Sequence, residues 1–133
     1  MSTPARKPPI VVTATSAPFW EGVRAKKLLL QYDAGTGRYQ FFPRASSLSS
    51  EGATEWRESK GEGTLVAFTR TSFPAAGFAH LLPYLEGLVR LDEGPRIFAP
   101  ITGVTMERLA VGQRMRVVFT DGDDAHPFEF QPL

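Results

Sequence analysis

The run LEGLVRL, Leu85 to Leu91, puts Leu85, Gly87, Val89 and Leu91 on one side and Glu86 and Arg90 on the other. That two-residue period belongs to a half-buried β-strand. It returns in RMRVVF, where Met115, Val117 and Phe119 stand opposite Arg114 and Arg116. Other short apolar runs sit around these two. GTLVAFTR is apolar on both faces, as expected of a strand buried in a barrel. In RIFAPI, Pro100 marks an edge or a bulge, and FEF is a last short strand. DEGP and DGDDAHP separate the runs with turn chemistry. TMERLAVGQ reads as one or two helical turns capped by Thr105 and ending at Gly112. About five strands at this spacing, with one small helix, predict a small Greek-key barrel. No internal repeat, heptad or low-complexity tract is present.

Upstream of Thr54 the pattern differs. Residues 1–15 are rich in Pro, Thr and Ala and are expected to be mobile. TSAPFWEGVRAKK predicts a helix, with Ser16 as cap, Pro18 in the first turn and Phe19, Trp20 and Val23 on one face. Gly22 keeps it short. KLLLQY and RYQFF flank the turn-forming DAGTG and predict a hairpin that Pro43 ends. The expected division is a flexible 1–15, a helix and hairpin over 16–52, and the barrel over 53–133.

The hairpin region, Gln31 to Trp56, has the spacing of a small metal-binding ribbon. Such ribbons carry Cys-x-x-Cys-Gly on one knuckle and Cys-Pro-x-Cys on a second, after a Pro-Arg bend. The chain has no cysteine. The four positions fall instead on Asp33, Thr36, Ser47 and Ser50. Structural zinc is held by thiolate or imidazole, and a serine hydroxyl is neutral and binds it poorly. A metal-free hairpin is therefore expected, held by apolar packing of Leu28, Leu30, Tyr39, Phe41 and Trp56.

With 133 residues and 42% hydrophobic composition, the chain is long enough to bury a core without disulfides. No apolar run approaches the roughly 20 residues of a membrane span, and Met1 to Pro9 lacks a signal-peptide stretch, so a cytoplasmic setting is expected. Residues 1–30 carry five Lys/Arg and one acid, whereas 53–133 carry eight Arg/Lys against eleven Asp/Glu, a net of −3. A mildly acidic barrel argues against nucleic-acid binding, which needs a basic face. His80 and His126 lie in no nucleophile motif, and the Gly-rich turns lack phosphate-loop spacing. No catalytic constellation is expected.

The order and spacing of PFWEGVRAKKLLLQY, GRYQFFPR, TEW, GEGTLVAFT, PYLEGLVRLDEGPRIFAPITGV and LAVGQRMRVVF resemble the acyl-CoA-associated family built from a rubredoxin-like zinc ribbon and an OB-fold. The resemblance covers about residues 17–133 and departs at all four cysteine positions. It implies a mainly β protein: N-terminal helix, degenerate ribbon hairpin and C-terminal five-stranded OB barrel. A ribbon scaffold outlives its metal when other packing replaces the metal's folding energy. The resemblance also implies a non-catalytic accessory subunit. Its partners would be a thiolase-like, hydroxymethylglutaryl-CoA synthase or MaoC-like hydratase enzyme, and its ligand an acyl-CoA, with no other cofactor. The long connection Arg70–Tyr84 would offer Phe73, Phe78, His80 and Tyr84 to the pantetheine arm, with Arg70 or Arg96 for the phosphates. Phe19, Trp20, Val23, Tyr39, Phe41 and Phe42 would face the partner. The rival expectation is a single-stranded nucleic-acid-binding OB protein.

Overall fold

A computed structural model describes residues 12–71, 84–120 and 127–133. Phe73, Phe78, His80 and His126 lie outside the described residues, as do residues 1–11.

Helix α1 spans Ala17–Arg24, with Pro18 in its first turn. Ser16 is at the cap position, but its side chain makes no capping bond. Its Oγ instead accepts from the Thr13 N–H at 3.0 Å, while Thr13 Oγ1 accepts from the Ser16 N–H at 3.1 Å. Thr13, inside the segment expected to be mobile, is thus tied to the helix start. Phe19 and Val23 are buried on the inner face. Gly22 lets the Leu29 side chain in: an added Cβ would stand 2.7 Å from Leu29 Cγ.

The ribbon is a three-stranded antiparallel sheet in the order β2-β1-β3, with β1 at Leu29–Asp33, β2 at Arg38–Gln40 and β3 at Glu55–Glu58. Gln31 pairs with Gln40 on one side and Trp56 on the other. The second strand is shorter than the expected RYQFF. It stops at Gln40, and the chain bends at a cis peptide between Phe41 and Phe42. Strand β3 lies on the barrel side of the expected 52/53 division yet pairs with β1. Gly37 closes the hairpin with φ +72°, its N–H donating to the Asp33 carbonyl at 2.7 Å.

The barrel contains β4 (Glu62–Thr71), β5 (Tyr84–Leu91), β6 (Arg96–Ile101), β7 (Arg114–Phe119) and β8 (Phe128–Pro132). It closes in the order β4-β5-β6-β8-β7, with β7 returning to β4. This is the five-stranded OB arrangement. Alternation in β5 and β7 places Val89, Leu91 and Met115 inside, as expected. Strand β4 is not buried on both faces. A bulge between Leu65 and Ala67 shifts its register, and Ala67 and Thr69 emerge exposed. The helical turn after Thr105 is a single 3-10 turn, Met106–Arg108, without a Thr105 side-chain cap. It ends well before Gly112, and the Gly112 N–H bonds back to the Leu65 carbonyl at 2.8 Å.

One core serves ribbon and barrel. Phe19, Leu28 and Leu30 are buried together with Leu65, Val89, Ile97, Met115 and Phe130. The Phe19 ring meets Phe128 of β8 edge-on at 6.0 Å, and Trp20 and Phe41 at 4.8 and 5.4 Å. The linker is fixed by Glu93 in the β5–β6 turn. Its carboxylate accepts from Ser59 Oγ at 2.8 Å and from the Lys60 N–H at 2.9 Å.

Candidate functional site

Strand β1 ends on Asp33, whose side chain points into the bend formed by residues 44–50. Asp33 is only 2% exposed. Its Oδ1 accepts from the backbone N–H groups of Gly35 at 2.8 Å and Thr36 at 3.2 Å. Its Oδ2 accepts from Ser47 Oγ at 2.6 Å, from Ser49 Oγ at 3.2 Å and from Ser50 Oγ. Thr36 Oγ1 and Ser49 Oγ are 2.7 Å apart. The four positions that would carry zinc ligands therefore still converge, but around a carboxylate. Hydrogen bonds from Ser47 and Ser50 hold the Asp33 carboxyl far below the usual carboxylate range, aided by the two N–H groups and opposed by burial.

The residues present do not fit zinc. The oxygens are one carboxylate and neutral hydroxyls, and the carboxylate already accepts five hydrogen bonds. Among the described residues no group of three His, Cys, Asp or Glu stands close enough to hold a metal.

A second polar layer, unforeseen in the sequence, lies one turn of pleat away. Gln31 and Gln40 are buried and paired across β1 and β2. Gln31 Oε1 accepts from Gln40 Nε2 and from the Arg44 N–H, each at 2.8 Å, while Gln31 Nε2 donates to the Arg44 carbonyl at 2.7 Å. Gln40 donates to the Ser46 carbonyl at 3.1 Å and accepts from the Leu48 N–H at 2.8 Å. Two amides thus satisfy the irregular backbone of residues 44–48, which has no ladder of its own. Apolar packing alone does not hold this hairpin. Leu28 and Leu30 are buried and Tyr39, Phe41 and Trp56 pack against the core as expected, but the bend is held by polar groups.

The aromatic set expected to face a partner divides. Phe19 and Val23 are fully in the core, and Trp20, Tyr39 and Phe41 are half-buried against it. Phe42 stands out, 48% exposed. Burial removes Phe19 and Val23 from any docking surface, because they close the ribbon onto the barrel. Trp20 keeps its indole N–H buried with no acceptor among the described residues.

The cations expected at a CoA site also divide. Arg70 is exposed near the end of β4, where Thr71 pairs with Tyr84 at the start of β5. Arg96 lies at the other end of the sheet. Arg70 pairs with Leu85 and Arg96 with Arg90, a separation of roughly 17 Å along β5 at ~3.4 Å per residue. The sequence offered Arg70 or Arg96 for the phosphates, and the hairpin register sets the two far apart along β5.

Ribbon and barrel together define an OB-fold protein with a carboxylate-centred ribbon that lacks the cysteine ligands of a zinc ribbon. Residues 56–120 match the family described as the ChsH2 C-terminal OB-fold domain, and the closed five-stranded barrel is of the OB type. The resemblance to the acyl-CoA-associated OB-fold family holds.

The chain is 27% identical over 124 residues to a DUF35 domain-containing scaffold protein of Pyrococcus furiosus, covering 86% of this chain and 90% of that one. It is 29% identical over 115 residues to the 3-oxo-4,17-pregnadiene-20-carboxyl-CoA hydratase alpha subunit of Mycobacterium tuberculosis, covering 86% of this chain but 36% of that subunit. Among solved structures, a chain of the Ltp2-ChsH2(DUF35) aldolase superposes with TM-score 0.80 at 19% identity, covering 92% of this chain and 98% of that one. A DUF35-family protein of unknown function from Sulfolobus solfataricus gives TM-score 0.66 at 14% identity, covering 92% and 87%. Both superpositions concern the fold.

Proposed function

We propose that this chain is an accessory subunit, without chemistry of its own, that docks onto an acyl-CoA enzyme of thiolase-like or hydratase-like type. One observation carries the reading. Sequence similarity over 86% of this chain, taking in ribbon and barrel together, links it to a relative named as a scaffold protein and to one named as a subunit of a CoA-ester hydratase. No helix among the described residues is long and apolar enough to cross a membrane, which is compatible with the proposed cytoplasmic setting.

In this reading Trp20 and Phe42, on the rim of the ribbon, anchor the partner. Arg70 and Tyr84 stand at the root of the 72–83 connection, whose Phe73, Phe78 and His80 contact the acyl-CoA. The test is co-purification with the candidate enzyme followed by an activity assay. Trp20→Ala is expected to weaken the complex by roughly 1–3 kcal/mol, and Phe78→Ala to lower turnover of the acyl-CoA without loss of assembly. A wild-type protein that neither binds the enzyme nor alters its rate overturns the reading. Sub-micromolar affinity for a single-stranded oligonucleotide at ~150 mM salt would favour the nucleic-acid reading instead, against the net −3 of residues 53–133.

A further inference from the structure

Strand β6 has one paired edge, and among the described residues its other edge is open over Arg96–Phe98. The Leu91 N–H donates to the Pro95 carbonyl at 2.9 Å, and the register then pairs Arg90 with Arg96, Val89 with Ile97, Leu88 with Phe98 and Gly87 with Ala99. Hydrogen-bonded and non-hydrogen-bonded pairs alternate along such a ladder. Ile97 and Ala99 therefore bond to β5, and Arg96 and Phe98 turn their backbone groups outward. On that outward side β8 meets β6 only at Ile101, opposite Phe130, where the Thr102 N–H donates to the Phe130 carbonyl at 3.0 Å. Among the described residues nothing pairs with the outward groups of Arg96 and Phe98. An open edge of this kind is a template for another strand.

The outer face beside this edge has its own character. Arg90 and Arg96 stand directly across from one another and both are exposed. Like charges in such a pair are unfavourable. Neither has a carboxylate at ion-pair distance among the described residues. Asp92, in the adjoining turn, is engaged by Arg114 through two hydrogen bonds of 2.8 Å. Next along the same face is Phe98, 57% exposed, opposite Leu88.

Charged residues and prolines on an edge commonly guard against self-pairing. Arg96, Pro95 and Pro100 fit that role, since a second copy would bring its own arginine to the first. Self-protection does not account for an exposed phenylalanine beside the arginine pair. A strand of opposite charge accounts for both.

We propose that the Arg96–Phe98 edge of β6 receives a short, extended, acidic segment of a partner polypeptide. The segment's backbone pairs with the outward groups of Arg96 and Phe98. One carboxylate settles between Arg90 and Arg96, and an apolar side chain two residues away covers Phe98, because alternate residues of a strand share a face. The matching motif is therefore acidic-x-apolar. The surface lies at the far end of β5 from Arg70 and Tyr84 and does not depend on the acyl-CoA reading. OB barrels also use this part of the sheet for oligonucleotides, but a nucleic-acid strand makes no use of the backbone edge, and the net −3 of the barrel region opposes it.

The test uses the full chain, isotope-labelled for NMR, and three probes: a peptide alternating Val and Glu, the same peptide with Lys for Glu, and oligothymidine. In the free protein the amides of Arg96 and Phe98 exchange rapidly. The Glu peptide shifts and protects them, and the Lys peptide does not. Replacing both Arg90→Glu and Arg96→Glu weakens the Glu peptide about tenfold or more, since like charges then face each other. Phe98→Ala weakens it while leaving the melting temperature near that of the wild type. Amides already protected in the free protein, equal binding of both peptides, or binding of oligothymidine in preference to the Glu peptide would each overturn the proposal.

Discussion

Phe19→Ala is the perturbation that most directly probes how ribbon and barrel are joined. Phe19 is fully buried, and its ring touches Trp20 and Phe41 on the ribbon side and Phe128 on the barrel side. Truncating a core phenylalanine costs about 3–5 kcal/mol, from lost transfer energy and the cavity left behind. Phe42 lies 6.5 Å from Phe19 and is half exposed, so it can swing partly into the void, which favours the lower end. With an unfolding entropy of about 2.1 cal/mol/K per residue, the 133-residue chain has about 280 cal/mol/K. A loss of ~3 kcal/mol then lowers the melting temperature by about 11 °C. Both tryptophans, Trp20 and Trp56, lie in α1 and the ribbon sheet, so their fluorescence reports that half, whereas far-UV circular dichroism reports both. Urea unfolding followed by the two probes should give one coincident midpoint, displaced together in the variant. A loss below about 1 kcal/mol, or a fluorescence midpoint that moves while the dichroism midpoint stays, would refute the shared-core reasoning.

Two further outcomes follow from the ribbon and the linker. Asp33 has its folded-state pKa depressed below its ordinary 3.8, so its contribution to stability is present above that value and is lost as pH falls below it. Melting curves should show the wild type losing more stability than Asp33→Asn between about pH 5 and pH 2; parallel curves would contradict the carboxylate hub. Gly61 has φ +72° and an added Cβ would lie 2.5 Å from Val117 Cγ1. Gly61→Ala should therefore destabilise by at least the ~1–2 kcal/mol of the left-handed conformation, read by chemical denaturation, and a neutral effect would show that the linker relaxes freely.

The barrel was legible in the sequence because LEGLVRL and RMRVVF alternate cleanly, and the burial of Val89, Leu91 and Met115 follows from that period alone. GTLVAFTR misled because a bulge at Leu65/Ala67 changes which face is which, and a bulge leaves no signature in an apolar run. The convergence of Asp33, Thr36, Ser47 and Ser50 was legible from spacing, but not its chemistry: one acceptor and several donors take the place of four equivalent ligands. Gln31 and Gln40 gave no signal, because amides that satisfy a loop backbone thirteen or fewer residues away look like ordinary polar strand residues. The arginines illustrate the same limit. The turn DEGP contained the register that pairs Arg90 with Arg96, yet the sequence reading offered Arg96 only as an alternative to Arg70 for the phosphates.

The central claim is that this ribbon is organised by the Asp33 carboxylate and its hydroxyl donors in the place of a metal. Elemental analysis of the purified protein, with melting temperatures taken with and without a strong chelator, tests it most directly. The account predicts no stoichiometric zinc and an unchanged melting temperature. One zinc per chain, with a melting temperature that falls on chelation, would contradict it.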